Sequence, residues 1–562
     1  MRISKSRSFF KYLLMGIPVF WIYILSLRPI VSRDALKLHM AFPNLWKDES
    51  FLFFNKFNAK IELGMMNLDY LYTILLKFFE WEQLPKIVHA TFLIMTGILI
   101  YLFVKKRFSE KYAIWSYLLI LTIPINTRLA SEVYVDLGLL FFSTVSVIFY
   151  IKSTEAEFNY KYLLISSLTC GLAAGTKYNG FVFSAIMCLV VFMGLSRKLC
   201  TIKAAKHIVL YVFIIFVTIS PWLYRNYMGS GNPFYPLFSG IFGSTIPEPE
   251  VLLFDPSDAK EIFLRLKSGE TIYEIFLIPL RFFFTGKDHD FLQFDGVLNP
   301  FILFLLPFAF FWVKDKIGLK IKVELLIIFV FIILFASFYD LQRIRWALPF
   351  LAPFIILITA GYYNILESTK NYKIKVCLAL LISVPIFAFN MVYLRNFVIQ
   401  TDMIPYFTQK IDKNEYLRKH LSMYDIYEFI NQNTPENSVI YDVLCGNRYY
   451  YVKRKYVCTD SNLNWWIFNV TYKNGSAEDY YKLISSLPNT DGLKADYLLI
   501  KPKIYYDTFK EVYFDIEDPL GKVNEQKLQG FIEFINLQTP IAGDGSAVLY
   551  KLNYPIEKER YN

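Results

Sequence analysis

Long apolar runs separated by short polar joints dominate the first 395 residues, after which the pattern shifts to short alternations. About eleven runs approach the roughly twenty apolar residues that a membrane-crossing helix needs. They lie near residues 9–27, 86–104, 112–125, 133–151, 161–175, 179–195, 208–224, 298–313, 323–338, 346–366 and 374–394. The runs at 112–125 and 161–175 are the shortest, and miscounting such a pair together would leave the later topology unchanged. Beyond residue 395, periodicity predicts helices over 416–432, 477–486 and 525–535. It predicts strands over 439–444, 449–458, 497–500 and 547–552. The expected fold is a polytopic α-helical membrane protein, with a transmembrane module over 1–395 and a soluble C-terminal α/β domain over 396–562.

Composition supports the first part of this picture. Of 562 residues, 55% are hydrophobic and 19% aromatic, which is too apolar for a soluble globule. The net charge of +11 would point to nucleic acid in a soluble protein. Here the excess sits in short joints between apolar runs, so it reports topology and no nucleic-acid partner is expected. The basic clusters are Lys105, Lys106, Arg107 and Lys111; Lys152 and Lys161; Arg197, Lys198, Lys203 and Lys206; Lys314, Lys316, Lys320 and Lys322; and Lys370, Lys373 and Lys375. They recur at every second joint and, with Arg2, Lys5, Arg7 and Lys11, place the N-terminus in the cytoplasm. Phe9 to Leu27 has no small-residue cleavage site before Arg28 and reads as an uncleaved first span. Cys170, Cys188, Cys200 and Cys377 lie in or beside apolar runs. Cys445 and Cys458 alone could staple a soluble domain, and two free thiols are an equal reading.

The alternate joints face outward together with the C-terminal domain, and the unusual polar motifs fall among them. The first outer joint runs from Ser32 to Trp46 and holds Asp34 and His39 between Arg33, Lys37 and Lys47. Others are Asn126 to Asp136, Gly171 to Gly180, the long segment Tyr224 to Asn299, and Tyr339 to Trp346. A transporter should place ionisable groups near mid-membrane and on both sides, with internal repeats, and no convincing repeat is present. One-sided chemistry is the expectation.

Read in order, these outer segments resemble the GT-C glycosyltransferases, in particular bacterial relatives of protein O-mannosyltransferases and aminoarabinose transferases. The first is Asp34-Ala35-Leu36-Lys37-Leu38-His39 followed by Pro43, where Leu38 departs from the aromatic residue the family pattern would place. Asn67-Leu68-Asp69-Tyr70-Leu71-Tyr72, Glu132-Val133-Tyr134-Val135-Asp136 and Gly171 to Gly180 follow. Ser220 to Tyr227, Gly231 to Pro236 and Arg343 to Phe350 complete the set. The likeness spans the membrane part and weakens in the tail.

The resemblance implies transfer of a sugar from a polyprenyl-phosphate donor to a glycan, lipid or protein acceptor at the extracytoplasmic face, by an inverting single displacement. Asp34 is the expected general base, since a carboxylate beside the attacking hydroxyl can accept its proton. The competing reading is an N-cap beside Ser32. Lys177, Arg225 and Arg345 are the expected cations for the donor phosphate; side chains of this kind at span ends also snorkel to water with no further role, which is the reading for Arg128 and Arg343. Glu132 and Asp136, four residues apart, would share a face and position the acceptor or, with Asp34, bind a divalent cation. A helix-start pair favoured by the dipole is the alternative. His39 would orient Asp34, bind phosphate or ligate metal, and whether a metal is used stays open. The segment Ile272 to Phe284 is amphipathic, and with Lys287-Asp288-His289-Asp290 it reads as a lid. The expected location is a bacterial inner membrane with the C-terminal domain outside. A transporter or flippase of lipid-linked sugars and a structural envelope subunit are the rival functions.

Overall fold

A computed structural model describes residues 2–54, 62–155, 158–246, 265–266, 268–290, 292–311, 317–338, 342–446, 449–458, 465–488, 490, 492–505 and 522–554. Lys314 and Lys316 of the fourth basic cluster, the start of the Tyr339 to Trp346 segment and the Cys458 side chain lie outside the described residues. Compact contacts divide the chain into two units. The first comprises residues 1–29, 65–222 and 259–410, and the second residues 30–64, 223–258 and 411–562.

The first unit is helical. Among the described residues, seven helices are long and apolar enough to cross a membrane: Leu84–Arg107, Asp136–Thr154, Asn179–Ser196, Ile202–Ser230, Leu319–Phe338, Ile344–Glu367 and Tyr372–Gln400. An eighth forms if Glu110–Thr122 and Pro124–Ala130, bent by 60°, count as one span. Proline explains this break, because Pro124 removes a backbone donor and Ile123 before it takes an extended ψ of 131°. The chain is thus a multi-pass membrane protein. The remaining apolar runs of the sequence are shorter helical pieces: Lys11–Ser26, the 15-residue Tyr160–Ala174, and the 3-10 turns Pro300–Leu305 and Pro307–Ala309.

Burial ranks the helices. Ile344–Glu367 is 94% buried over its apolar window and forms the centre, whereas Tyr372–Gln400 is only 11% buried and presents apolar side chains outward. An outward apolar surface suits lipid, which is as apolar as the side chains themselves. Close approach inside the bundle depends on small residues. A Cβ at Gly361 would lie 2.1 Å from the Leu305 carbonyl oxygen. Polar side chains bridge the same interior: Ser166 Oγ donates to the Ser146 carbonyl at 2.9 Å, and the Tyr211 hydroxyl lies 3.2 Å from Ser166 Oγ.

The second unit contains a five-stranded sheet built from β1 (Val439–Val443), β2 (Lys455–Cys458), β3 (Tyr497–Ile500), β4 (Thr539–Gly543) and β5 (Val548–Lys551). The order is β2-β1-β3-β5-β4. β1 pairs parallel with β2 and β3, and β5 pairs antiparallel with β3 and β4. β1 and β3 are buried at every position, as continuous apolar runs in the centre of a sheet should be. Tyr441, Val443, Leu498 and Ile500 pack with Tyr480, Ile484, Phe531 and Phe534 from the helices Ala477–Ser485 and Lys522–Asn536. The α/β composition of the tail is therefore present. The strand expected over 449–458 is divided into a 3-10 turn at Tyr449–Tyr451 and the shorter β2, and β4 was not expected, because Pro540 and Gly543 obscure its pattern. Cys445 is buried as a free thiol.

Candidate active site

Asn67 joins three of the outer motifs in the first unit. Its Nδ2 donates to the Leu172 carbonyl at 3.0 Å, its backbone N–H donates to Gly175 O at 2.9 Å, and its Oδ1 accepts from the Trp222 indole at 2.6 Å. A Cβ at Gly175 would lie 2.5 Å from Asn67 Nδ2, so glycine permits the approach. Asn179 adds a fourth motif by donating to the Trp346 carbonyl at 2.9 Å. The segments 67–72, 171–180, 220–222 and 343–350, distant in sequence, thus come together.

The segment 131–137 supplies the charges of this region. Glu132 is 4% exposed and forms an ion pair with Arg28, itself 3% exposed, whose Nη2 also donates to Ser131 Oγ at 3.1 Å. Buried Lys86 donates to the Arg28 carbonyl at 2.7 Å. His89 fixes the turn: its Nε2 accepts from the Leu137 N–H at 3.0 Å, so Nδ1 carries the proton and donates to the Glu132 carbonyl at 3.0 Å. Tyr72 Oη donates to the Tyr134 carbonyl at 2.6 Å.

Asp136 begins the helix Asp136–Thr154, where the dipole favours a carboxylate, and its Oδ1 lies 2.9 Å from Lys177 Nζ. Lys177 is partly exposed and stands over the Trp346 ring at 5.3 Å. Glu132 precedes this helix, so the helical spacing that would give the two carboxylates one face does not apply. They hold different cations. Among the described residues no group of three or more His, Cys, Asp or Glu side chains is placed to hold a metal ion.

Arg345 is 5% exposed, stacks over Tyr134 at 5.1 Å and lies 3.9 Å from Asp295. Arg128 does not snorkel. It is 2% exposed and pairs with Asp288 at 2.9 Å and Asp295 at 2.8 Å. Tyr393 donates to Asp288 as well. The Lys287 to Asp290 segment is thus anchored by charge. Beside it, the helix Ile272–Phe276, closed by a Thr271–Glu274 capping box, exposes Ile272, Tyr273 and Phe276.

In the second unit, Asp34 precedes a π-helical turn at Ala35–His39 and makes no side-chain capping bond. Single π turns recur at functional sites. Asp34 is partly exposed, whereas His39 at the end of the turn is 8% exposed. This turn packs on the 3-10 turn Tyr449–Tyr451, and Tyr451 Oη donates to the Ile30 carbonyl at 2.9 Å. Arg225 occupies a different setting from an open phosphate site. Its Nε, Nη1 and Nη2 donate to the carbonyls of Phe51, Glu62 and Phe53 at 3.0, 2.6 and 2.7 Å, and its guanidinium stacks over Trp46 at 4.9 Å. Next to the same segment lies a cavity of about 220 Å³ lined by Asn44, Glu49, Phe53, Tyr449, Tyr450 and Lys455, among others.

Sequence reasoning selected Asp34, His39, Glu132, Asp136, Lys177, Arg225 and Arg345, named Asp288 only within a lid segment, and missed Arg28, Lys86, His89 and Asp295. Arg28 and Lys86 stand at the ends of apolar runs, where a snorkelling cation is the default reading. The signal available for Lys86 and His89 was their three-residue spacing, which puts both on one helix face.

Residues 83–230 match the family model described as dolichyl-phosphate-mannose-protein mannosyltransferase. A comparison with curated protein sequences gives no match. Among solved structures, ArnT from Cupriavidus metallidurans bound to undecaprenyl phosphate is similar with a TM-score of 0.57 at 13% identity, over 96% of this chain and 97% of that one. The archaeal oligosaccharyltransferase AglB from Archaeoglobus fulgidus, in complex with an inhibitory peptide and a dolichol-phosphate, is similar with a TM-score of 0.52 at 14% identity. That likeness covers 98% of this chain and 75% of AglB. The chain therefore has the GT-C fold of ArnT and AglB that its sequence motifs resemble, and residues 83–230 match the protein mannosyltransferase family model.

Proposed function

We propose that this protein is a membrane glycosyltransferase that moves a sugar from a polyprenyl-phosphate donor to an extracytoplasmic glycan, lipid or protein acceptor. The observation that carries this reading is the meeting of four outer motifs around Asn67 and Asn179, beside the buried charges of Glu132, Asp136, Lys177 and Arg345. Buried ionisable groups in a membrane protein are costly, and they are retained mainly where they serve a function. The family match and the fold of proteins bound to undecaprenyl phosphate and dolichol-phosphate support the donor class.

In the proposed reaction the acceptor hydroxyl attacks the anomeric carbon while Asp34 takes its proton. The bond from that carbon to the phosphate oxygen breaks with inversion, and the polyprenyl phosphate leaves as an anion. Lys177 and Arg345 meet the developing charge, which a preformed cation stabilises more in a dry site than in water. Arg225 holds the backbone of the outer segment, Glu132 and Asp136 fix the cations around the acceptor, and His39 closes the turn that carries Asp34. The cavity lined by Asn44, Glu49 and four aromatic residues offers stacking and hydrogen-bonding surface for an acceptor sugar.

The proposal takes all eleven apolar runs as crossing or entering the membrane. A 15-residue helix such as Tyr160–Ala174 spans about 22 Å against a hydrocarbon core of about 30 Å, and short or irregular segments are tolerated at depth where protein surrounds them. It places the N-terminus in the cytoplasm and the domain from residue 396 outside, in a bacterial inner membrane. The test is incubation of the purified protein with polyprenyl-phosphate sugars and envelope extracts, following label into acceptor. Transfer is expected; absence of transfer with every donor, alongside movement of labelled lipid across vesicles, would overturn the proposal in favour of a flippase.

A further inference from the structure

The basic ends of several spans in the first unit gather around Glu155 and Glu324. Two cavities of about 570 and 580 Å³ adjoin there, and Glu155 lines both. Lys106, Arg107 and Lys152 line the first, and Arg197, Lys198 and Lys320 the second. Glu155 and Glu324 are the carboxylates among the described lining residues, so cations outnumber them by six to two. Arg107 pairs with Glu155, Arg197 pairs with Glu324 at 2.8 Å, and Lys198 donates to the Glu155 carbonyl at 3.1 Å. Lys106 and Lys152 supply the excess charge of the first cavity, and Lys152 lies within electrostatic reach of both Lys106 and Arg107.

The wall of that cavity is apolar. Leu102, Phe103, Ile148 and Phe149 line it, with Arg107 stacked 3.6 Å over the Phe103 ring and Lys152 4.7 Å over Phe149. Leu102 is 56% exposed on the outer surface of its helix. The helix Leu84–Arg107 has 24 residues, long enough to cross the hydrocarbon core, so its basic end stands at headgroup level.

We propose that these cavities bind the phosphodiester headgroup of an anionic phospholipid, with acyl chains lying along the apolar wall. An apolar surface continuous with a cationic basin fits a lipid and does not fit a free phosphate, which needs no such wall. Basic pockets between spans on the side of positive charge recognise anionic headgroups. The proposal is independent of the transfer reaction, and none of these residues belongs to the proposed active site.

The test is native mass spectrometry of the full chain released from detergent containing equal phosphatidylglycerol and phosphatidylcholine with the same acyl chains. Wild type should retain phosphatidylglycerol roughly tenfold over phosphatidylcholine. K106Q/K152Q should lose most of that preference, while K106R/K152R should keep it, since each cation near the surface contributes to headgroup attraction. R197Q/K320Q probes the second cavity in the same way and should weaken retention even if the first variant fails to fold. Equal retention of the two lipids by wild type, or full preference in both glutamine variants, would overturn the proposal. Displacement of the bound lipid by millimolar inorganic phosphate would overturn the lipid assignment.

Discussion

The Trp222 indole donates to Asn67 Oδ1 at 2.6 Å, and through this bond the long apolar helix Thr201–Ser230 is tied to the segment that also holds Leu172 and Gly175. Asn67→Ala removes the acceptor of the Trp222 indole in a partly buried setting, while the Leu172 carbonyl keeps the Thr176 hydroxyl at 2.7 Å. The expected cost is about 1–3 kcal/mol. Gly175→Ala should be at least as harmful, because its Cβ would enter the space of Asn67. Thermal unfolding in detergent measures both, and a melting temperature unchanged in each variant would contradict the role of Asn67.

The buried Arg28–Glu132 pair has a sharper signature. Glu132→Gln removes the carboxylate paired with a guanidinium that is only 3% exposed, with an expected loss of up to about 3–5 kcal/mol. The double change Arg28→Met with Glu132→Leu removes the charge altogether and should recover much of the stability without recovering activity. A double-mutant cycle on unfolding temperature checks this.

Arg225 should not tolerate lysine. Three guanidinium nitrogens reach three separate carbonyls, and one ammonium cannot reproduce that fork. Arg225→Lys is expected to loosen the segment around Phe51 and Phe53, read as faster proteolysis or hydrogen exchange there, with a stability loss of about 1.5–3 kcal/mol.

Acid should weaken the C-terminal domain through Asp479. Its carboxyl is held below the usual carboxylate range by the Ser476 backbone N–H, and then by the Ser476 hydroxyl, in the box that caps Ala477–Ser485. A carboxyl lowered in the folded state contributes its stability above the unfolded value near 3.9 and loses it as pH falls through the folded value. Protection of the 477–485 amides against hydrogen exchange, relative to their intrinsic rates at each pH, should therefore fall below about pH 4. Asp479→Asn should flatten that pH dependence.

The apolar runs were legible because each spans enough consecutive positions to outweigh its few polar residues, and every one is helical to some extent. Their crossing number was less legible. Pro124 bends one run, and Pro300 and Pro307 reduce another to 3-10 turns, features that mean hydropathy averages away. Lys177 and Asp136 stood out as polar groups at span ends, but their pairing needed two helices to meet, and no local pattern encodes that. His89 and Lys86 look like ordinary members of an apolar run until the turn at 131–137 folds onto His89 and the Arg28 carbonyl meets Lys86. β4 was hidden for the opposite reason: its edge position accepts Pro540, which argues against a strand when read alone.

The central claim is that Asp34, ahead of the π turn, accepts the proton of the acceptor. The most direct measurement is single-turnover sugar transfer by wild type and Asp34→Asn, both shown to be folded, with a polyprenyl-phosphate donor. The account predicts a loss of about 10²–10⁴-fold in the chemical step of the variant, with donor binding retained and an inverted anomeric centre in the wild-type product. Equal transfer rates in the two proteins would contradict it.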